Sequence, residues 1–375
     1  MKKPLIIILS LLLFLACNKT KEENTDDKEL IYGPEYSVGF NIMAPIHSQS
    51  RIINVYNPWQ GAKDLSSSFL ISRDGKNSDD FKGQALDSVP QRIICMSSTH
   101  IAMLEDLGAT DKIVGVSGMQ YISNPYIHKH KDEIADIGYE GNIDYEKLIA
   151  ADPDLVMLFS VNGASGMETK LKELGIPYIY IGDYVEETPL GKTEWIVAIA
   201  EILGMRDKGI QKFKEIESRY LELKEKVAKT SHNRPKIMVN MPFLGSWFMP
   251  STTSYVAQMI NDAGGDYIYT KNTGNTSKPI DIEEALHLVG ETDFWINIGN
   301  LGSLDELKAT LPIFTNTKCV KEGYIFNNNL KATPEGGNDC YESGMMHPDL
   351  ILKDLIKIFH PELIEDDFTY YKQLK

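Results

Sequence analysis

Two hydrophobic rhythms divide the chain. From Tyr36 to Ile71 apolar and polar positions alternate over short stretches, Arg51-Ile-Ile-Asn-Val-Tyr56 and Ser68-Phe-Leu-Ile71, with turn residues at Asn57-Pro58 and Asp74-Gly75. Such stretches predict β-strands joined by turns. From Pro90 onward short apolar runs alternate instead with helical spacing. Strands are predicted at 92–96, 112–116, 154–159 and 178–181, and helices at 98–107, 144–151 and 168–174. Alternation of this kind predicts a parallel sheet covered by helices. A long helical region follows, with Ile196, Ile199, Ala200 and Leu203 on one face and, after Gly204, Ile210, Phe213, Ile216, Tyr220, Leu223 and Val227. Pro235 opens a second series, with strands at 236–239, 294–298 and 324–326 and helices at 253–263, 281–289, 303–311 and 348–359.

The two series echo each other. Leu104-Glu-Asp-Leu-Gly-Ala109 is matched by Ile260-Asn-Asp-Ala-Gly-Gly265, and Tyr145-Glu-Lys-Leu before Asp154-Leu-Val by Glu283-Glu-Ala-Leu before Asp293-Phe-Trp. The expected fold class is therefore α/β: two Rossmann-like lobes joined by a long helix, with an N-terminal accessory β segment. The expected boundaries are 36–89 for the accessory segment, 90–188 for the first lobe, 189–233 for the helical spine and 234–375 for the second lobe. Ligands of such two-lobed proteins sit in the cleft at the strand ends.

The first residues follow a third pattern. Leu5–Ala16 is an apolar run of 12 residues, preceded by Lys2 and Lys3 and followed by Cys17. That length suits a signal peptide over 1–16 and falls short of the roughly 20 residues that span a bilayer. Leu13-Phe-Leu-Ala-Cys17 resembles a bacterial lipobox, with Phe14 where leucine is usual. Cys17 is thus the expected lipidation site, residues 17–35 a tether, and the cell envelope the address.

At 375 residues and 42% hydrophobic content, the chain has enough apolar surface for two real cores. Its net charge of −15 repels phosphate backbones, which argues against nucleic-acid binding. With Cys17 lipidated, Cys95, Cys319 and Cys340 remain, so one disulfide at most can form; the pair Cys319–Cys340 is open to it, and Cys95 reads as a small buried hydrophobe.

With these elements in place, several segments resemble the substrate-binding proteins of bacterial ABC importers for metal chelates, including cobalamin, iron–siderophore and haem. "RIICMSSTHIAMLEDLGATDKIVGVS" is similar to that family's opening strand, helix and strand, and "NIDYEKLIAADPDLVML" to its segment ending in Pro-Asp before a strand. The resemblance runs from about residue 90 to 362. A lipoprotein branch of the family is similar further, through "NPWQGA", "TPLGKTEWI", "DAGGDYIY", "GGNDCYESG" and "HPDLILKDLIKIFHPEL". Cys340 departs from that branch, which tends to carry an aromatic residue there.

The resemblance implies the class III periplasmic binding protein fold, with two lobes bridged by one rigid helix, matched here by Asp207–Lys229. It also implies a glutamate on each lobe that docks onto arginines of the permease subunits. By motif these fall on Glu146 and Glu283, with Glu284 the competitor for the second position. A lipid-anchored monomer, without catalytic residues, resident cofactor or bound metal of its own, is the expected working form. Its partners are an ABC permease, a small metal chelate and, through the lipid, a membrane.

A large flat chelate asks for aromatic surfaces and a few polar anchors. The expected ligand residues are Ser98, His100, Met119 and Tyr121 in the first lobe, Trp247, Phe248 and Tyr255 in the second, Asn338, Tyr341 and Glu342 in the late loop, and Trp59 near the start. Trp247-Phe248-Met249, three bulky residues between Gly245 and Pro250, stand out most; Trp195 and Trp295 read as core. Two other functions compete. One is a surface scavenger of chelates without a permease, suggested by Lys21-Glu22-Glu23 close to the lipidated end. The other is an envelope hydrolase, hinted at only by Gly163-Ala-Ser-Gly166, one residue short of a nucleophile elbow.

Overall fold

In the computed structural model, which describes residues 28–73, 81–139, 141–230, 233–243 and 245–375, the chain begins with a five-stranded sheet. Its strands are β1 (Lys28–Tyr32), β2 (Phe40–Pro45), β3 (Arg51–Tyr56), β4 (Ser66–Ile71) and β5 (Gln84–Leu86), neighbours in that order. Strand β2 alternates as a half-buried strand must, with Phe40, Ile42 and Ala44 inward. The sheet starts at Lys28, inside the 17–35 stretch expected to be tether. Leu30-Ile-Tyr32 is too short to show a period, and it is held by backbone pairing to Ile42–Pro45. The expected signal peptide, Cys17 and the Asp74-Gly75 turn lie outside the described residues.

The first lobe runs β6 (Ile93–Cys95), α1 (Ser98–Asp106), β7 (Ile113–Val116), α2 (Pro125–Lys129), β8 (Ala135–Asp136), a small hairpin of β9 (Gly138–Tyr139) and β10 (Asn142–Ile143), α3 (Tyr145–Ala150), β11 (Leu155–Leu158), α4 (Glu168–Leu174) and β12 (Tyr178–Tyr180). Its parallel sheet has the order β12-β11-β6-β7-β8. The inner strands β6 and β11 are buried at every residue, as a sheet covered on both faces requires.

Two helices form the spine, α5 (Pro189–Ile202) and α6 (Arg206–Thr230). Thr188 caps α5 by accepting the Gly191 amide, and Pro189 takes the first helical position, where its missing N–H costs nothing. Every residue of α5 is buried, charged ones included. Glu194 accepts the hydroxyl of Tyr32 and the amides of Glu35, Tyr36 and Ser37, while Glu186 accepts the Gly39 amide and the Trp195 indole. Two buried carboxylates thereby clasp the accessory segment to the spine. Helix α6, 25 residues and by its rise about 37 Å long, lies against α5, and Gly209 makes the close approach to Ala200 that a side chain would block. The spine is thus a packed pair of helices, where the family resemblance implied one.

The second lobe comprises β13 (Lys236–Val239), β14 (Trp247–Met249), α7 (Tyr255–Asp262), β15 (Asp266–Tyr267), β16 (Lys278–Ile280), α8 (Ile282–Gly290), β17 (Phe294–Ile296), α9 (Leu304–Thr310), α10 (Lys318–Lys321), β18 (Ile325–Asn327), α11 (Ser343–Met346), α12 (Pro348–Phe359) and β19 (Lys372–Gln373). Its sheet order is β15-β13-β17-β18-β19. Taken in chain order, β13, β15, β17 and β18 occupy the places of β6, β7, β11 and β12, so the two lobes share the order of four strands, and the fifth differs: β8 extends the sheet beside β7, antiparallel β19 beside β18. The repeat reaches single hydrogen bonds. Asp154 takes the Arg92 amide and Asp293 the Lys236 amide beneath the two sheets, while Met96 bonds to Met157 and Asn240 to Ile296 above them.

Candidate functional site

In each lobe the central strand hands the chain one way to its first neighbour and the other way to its second, so the loops part above β6 and β11 and again above β13 and β17. Such a switch point leaves a crevice at the carboxyl ends of the strands. In the first lobe it holds a recess of about 190 Å³ lined by Met96, Ser117, Tyr139, Phe159, Ser165 and Met167. Tyr139 is exposed, Met96 and Met167 are nearly buried, and Phe159 packs its edge against the exposed ring of Tyr184, centroids 5.6 Å apart. The wall is apolar and aromatic, with the hydroxyls of Ser117, Ser165 and Tyr139 as its polar groups.

Beneath Tyr184 lies a buried lysine. Lys192 Nζ donates to the carbonyls of Asp183 and Tyr184 at 2.9 and 2.8 Å, and sits 5.8 Å from the Tyr184 ring and 5.7 Å from that of Tyr255. Burial lowers the Lys192 ammonium and raises the Asp183 carboxyl, and each partner opposes the other's shift. Its two hydrogen bonds tie the loop after β12 to the spine and hold Tyr184 beside Phe159 at the edge of the recess.

The second lobe contributes Phe243, 67% exposed, and Phe248, 43% exposed, from the hairpin after β13. Asn240 steadies that hairpin by donating to the Phe248 carbonyl at 3.0 Å. Period-2 alternation sends the neighbours of Phe248 inward. Trp247 is 1% exposed, donates its indole N–H to Val239, stacks on Trp295 at 5.4 Å and meets Phe314 edge-on. The expectation that Trp247 lines the cleft is therefore corrected: Trp295 and Phe314 cover it. Trp195 and Trp295 are core, as their patterns predicted.

Other expected residues separate likewise. His100 points into the first lobe's core, where burial pushes its imidazole down to about 3 and holds it neutral, so it reaches no ligand. Trp59 packs on Tyr180 at 5.3 Å and lines a cavity of about 900 Å³ between the accessory sheet and β12, whose wall includes Ala164 and Gly166, next to Ser165 and Met167 of the recess. Glu342 is buried and already bonded to Ser123 across the lobes. Cys340 is 2% exposed beneath that loop and lines no cleft; Cys95, Cys319 and Cys340 are all buried free thiols. Tyr255 is half-buried with its hydroxyl enclosed, and Asn338 caps the turn at Asp339–Tyr341. Ser98 opens α1, Met119 is half-buried, and Tyr121 and Tyr341 are exposed on loops that leave strand ends. Ser165 Oγ accepts the Met167 amide, with no hydrogen bond to a histidine among the described residues. No group of three or more His, Cys, Asp or Glu side chains among the described residues is arranged to hold a metal.

Sequence reasoning missed Tyr139, Phe159, Tyr184, Lys192 and Phe243. Phe159 carried a usable signal, since it ends the apolar run of β11 where that strand reaches the crevice.

Glu146 and Glu283 occupy equivalent places. Asp144 caps α3 by accepting the Lys147 amide, Asp281 caps α8 by accepting the Glu284 amide, and each glutamate stands two residues after its cap. Both are exposed, and neither makes an ion pair with a described residue, whereas Glu284 is bound to Lys271 at 2.5 Å. Each helix runs back against its sheet, which puts both glutamates at the cleft end.

The comparisons with known proteins agree with this architecture. A family model described as periplasmic binding protein matches residues 93–328. An uncharacterized lipoprotein of Methanocaldococcus jannaschii is 28% identical over 85% of this chain and 80% of its own length; a second from the same organism is 25% identical over 70% and 68%. Among solved structures, a periplasmic haem-binding protein from Pseudomonas aeruginosa superposes with a TM-score of 0.59 at 18% identity, covering 76% of this chain and 98% of that one. The periplasmic vitamin B12-binding protein of Vibrio cholerae gives 0.54 at 13% identity, covering 72% and 97%. An ABC transporter substrate-binding protein from Listeria monocytogenes gives 0.53 at 14%, covering 73% and 100%.

Proposed function

This chain belongs to the periplasmic binding protein family, a family of non-enzymatic binding proteins, and on that premise we propose that it captures a metal chelate between its lobes and delivers it to an ABC permease. The observation that carries the reading is the aromatic recess at the first lobe's switch point, together with the exposed rings of Phe243 and Phe248 that follow β13 in the second lobe. Flat, partly apolar chelates match rigid aromatic walls with few charges. The haem- and vitamin B12-binding proteins among the structural neighbours support that ligand class. The lipoprotein relatives support a membrane-anchored form through Cys17, and no helix among the described residues is long and apolar enough to cross a membrane. Glu146 and Glu283, repeated in structure and unpaired, are the proposed docking residues for basic groups of the permease, where exposed charges give orientation and salt-sensitive association.

Calorimetric titration of haemin, cobalamin and a ferric siderophore into the purified protein tests the ligand. One of them is expected to bind at one site per chain, with affinity lowered at least tenfold by Phe159→Ala. Absence of saturable binding by all three would refute the chelate class.

A further inference from the structure

At the end of the spine opposite the cleft, three guanidinium groups meet around one carboxylate. Glu201 is 1% exposed in its side chain; Arg73 reaches its Oε1 at 2.5 Å and Arg206 its Oε2 at 3.1 Å. Arg51 is the third. Its Nη1 donates to the carbonyls of Gln49 and Ser50, but its Nε is buried with no hydrogen-bond partner among the described residues. A buried donor left unmade costs free energy, so an unpaired guanidinium N–H in a built site asks for an acceptor. The groups line a cavity of about 220 Å³, with Gly204 and Lys208 completing its wall. The Lys208 ammonium is held there by the Leu107 carbonyl at 2.7 Å.

Among the described residues, charge is out of balance at this spot. Four cations line the cavity against the carboxylates of Glu201 and Asp207, and Glu201 already serves two of them. Glu29 on β1 acts on Arg51 from outside, while Arg73 and Arg206 repel it. In a chain of net charge −15 this is a local excess of positive charge held in a concave site. Guanidinium forks match the tetrahedral oxygens of phosphate and bind them with short, charge-assisted hydrogen bonds.

We propose that this cavity binds a phosphate group, held by Arg51, Arg73 and Arg206 at the junction of the accessory sheet and the spine. The position suggests one source. Lys28 pairs with Pro45, and β3 begins at Arg51 at that same end of the sheet. Cys17 precedes Lys28 by 11 residues, at most about 40 Å of extended chain, so an anchored lipid and its neighbouring headgroups lie within reach. Free phosphate offers the same chemistry.

The test uses the full chain with Cys17→Ala, which removes acylation, titrated with inorganic phosphate by calorimetry. One saturable site is expected. Arg51→Gln and Arg206→Gln should each weaken it at least tenfold, with circular dichroism checking the fold. Glu201→Gln should tighten it about threefold or more by removing the competing carboxylate, a gain that a purely structural cluster does not predict. No saturable phosphate binding, or unchanged affinity in both arginine variants, would overturn the proposal. Flotation with phosphatidylcholine vesicles, with and without 30% phosphatidylglycerol, then separates the sources. Binding to the anionic vesicles that phosphate displaces supports a headgroup, and phosphate binding without flotation supports the free ion.

Discussion

Glu342 of the second lobe accepts two hydrogen bonds from Ser123 of the first, from its amide at 2.8 Å and its hydroxyl at 2.9 Å, both on Oε2. The lobes are thus joined at this carboxylate oxygen and by His347 and Asp106, 3.2 Å apart, as well as through the spine. Burial pushes the Glu342 carboxyl up to about 7 although the Ser123 bonds oppose it, and Asp339 and Glu105 add like charge. An acid whose folded value lies above its unfolded value holds more protons when folded, so stability falls as pH rises through the interval between the two. That window runs from the ordinary carboxyl range to about 7. Urea unfolding of wild type and Glu342→Gln from pH 5 to 8 should therefore diverge, the variant gaining about 2.5 kcal/mol on wild type across the range. Parallel curves would show that Glu342 does not titrate between the lobes.

Adjacent residues of β14 should respond to truncation in different ways. Trp247 fills core against Trp295 and Phe314, so Trp247→Ala is expected to cost about 3–5 kcal/mol of stability. Phe248 faces out, and Phe248→Ala should change stability by less than about 0.5 kcal/mol while weakening chelate binding. Thermal unfolding beside calorimetric titration separates the two. A stable Trp247→Ala protein with impaired binding would return Trp247 to the cleft.

Glu194 offers a third test, because its four donors all come from the accessory segment. Removing a buried acceptor leaves those donors unpaired, at about 1–3 kcal/mol each before water enters. Glu194→Ala should therefore release the segment locally, and hydrogen exchange at the amides of Glu35, Tyr36 and Ser37 should rise at least a hundredfold. Protection unchanged at these three amides would mean that strand pairing alone secures them.

Much of this architecture was legible because it repeats. The Asp154 and Asp293 signals sat before apolar runs in both halves, and they mark the same strand in both sheets. The site was less legible, since apolar residues next to turns look alike whether covered or open. Trp247 and Phe248 differ only in which side of a two-stranded ribbon they occupy, and that is decided by β16 pairing against β14 and by the distant Phe314. His100 stood beside a helix start and pointed inward, an orientation set by the sheet beneath it. Lys192 gave no signal because its partners are backbone carbonyls. For Glu283 against Glu284, the cap at Asp281 sets the helix phase and supports Glu283 as the proposed docking residue.

That phase makes the docking claim specific. Glu146 and Glu283 stand at the same turn of equivalent helices at the cleft end of each lobe, a geometry suited to two basic sockets on the proposed permease. Exposed pairs contribute little individually and are screened by salt, so either single alanine substitution should reduce uptake by a few-fold at most. The double variant Glu146→Ala, Glu283→Ala should lose at least tenfold in uptake by cells or reconstituted vesicles, with chelate affinity unchanged, and the loss should deepen with added salt. Glu284→Ala should spare uptake, because its carboxylate is committed to Lys271. Uptake surviving the double change at moderate ionic strength would mean that docking rests on other surfaces.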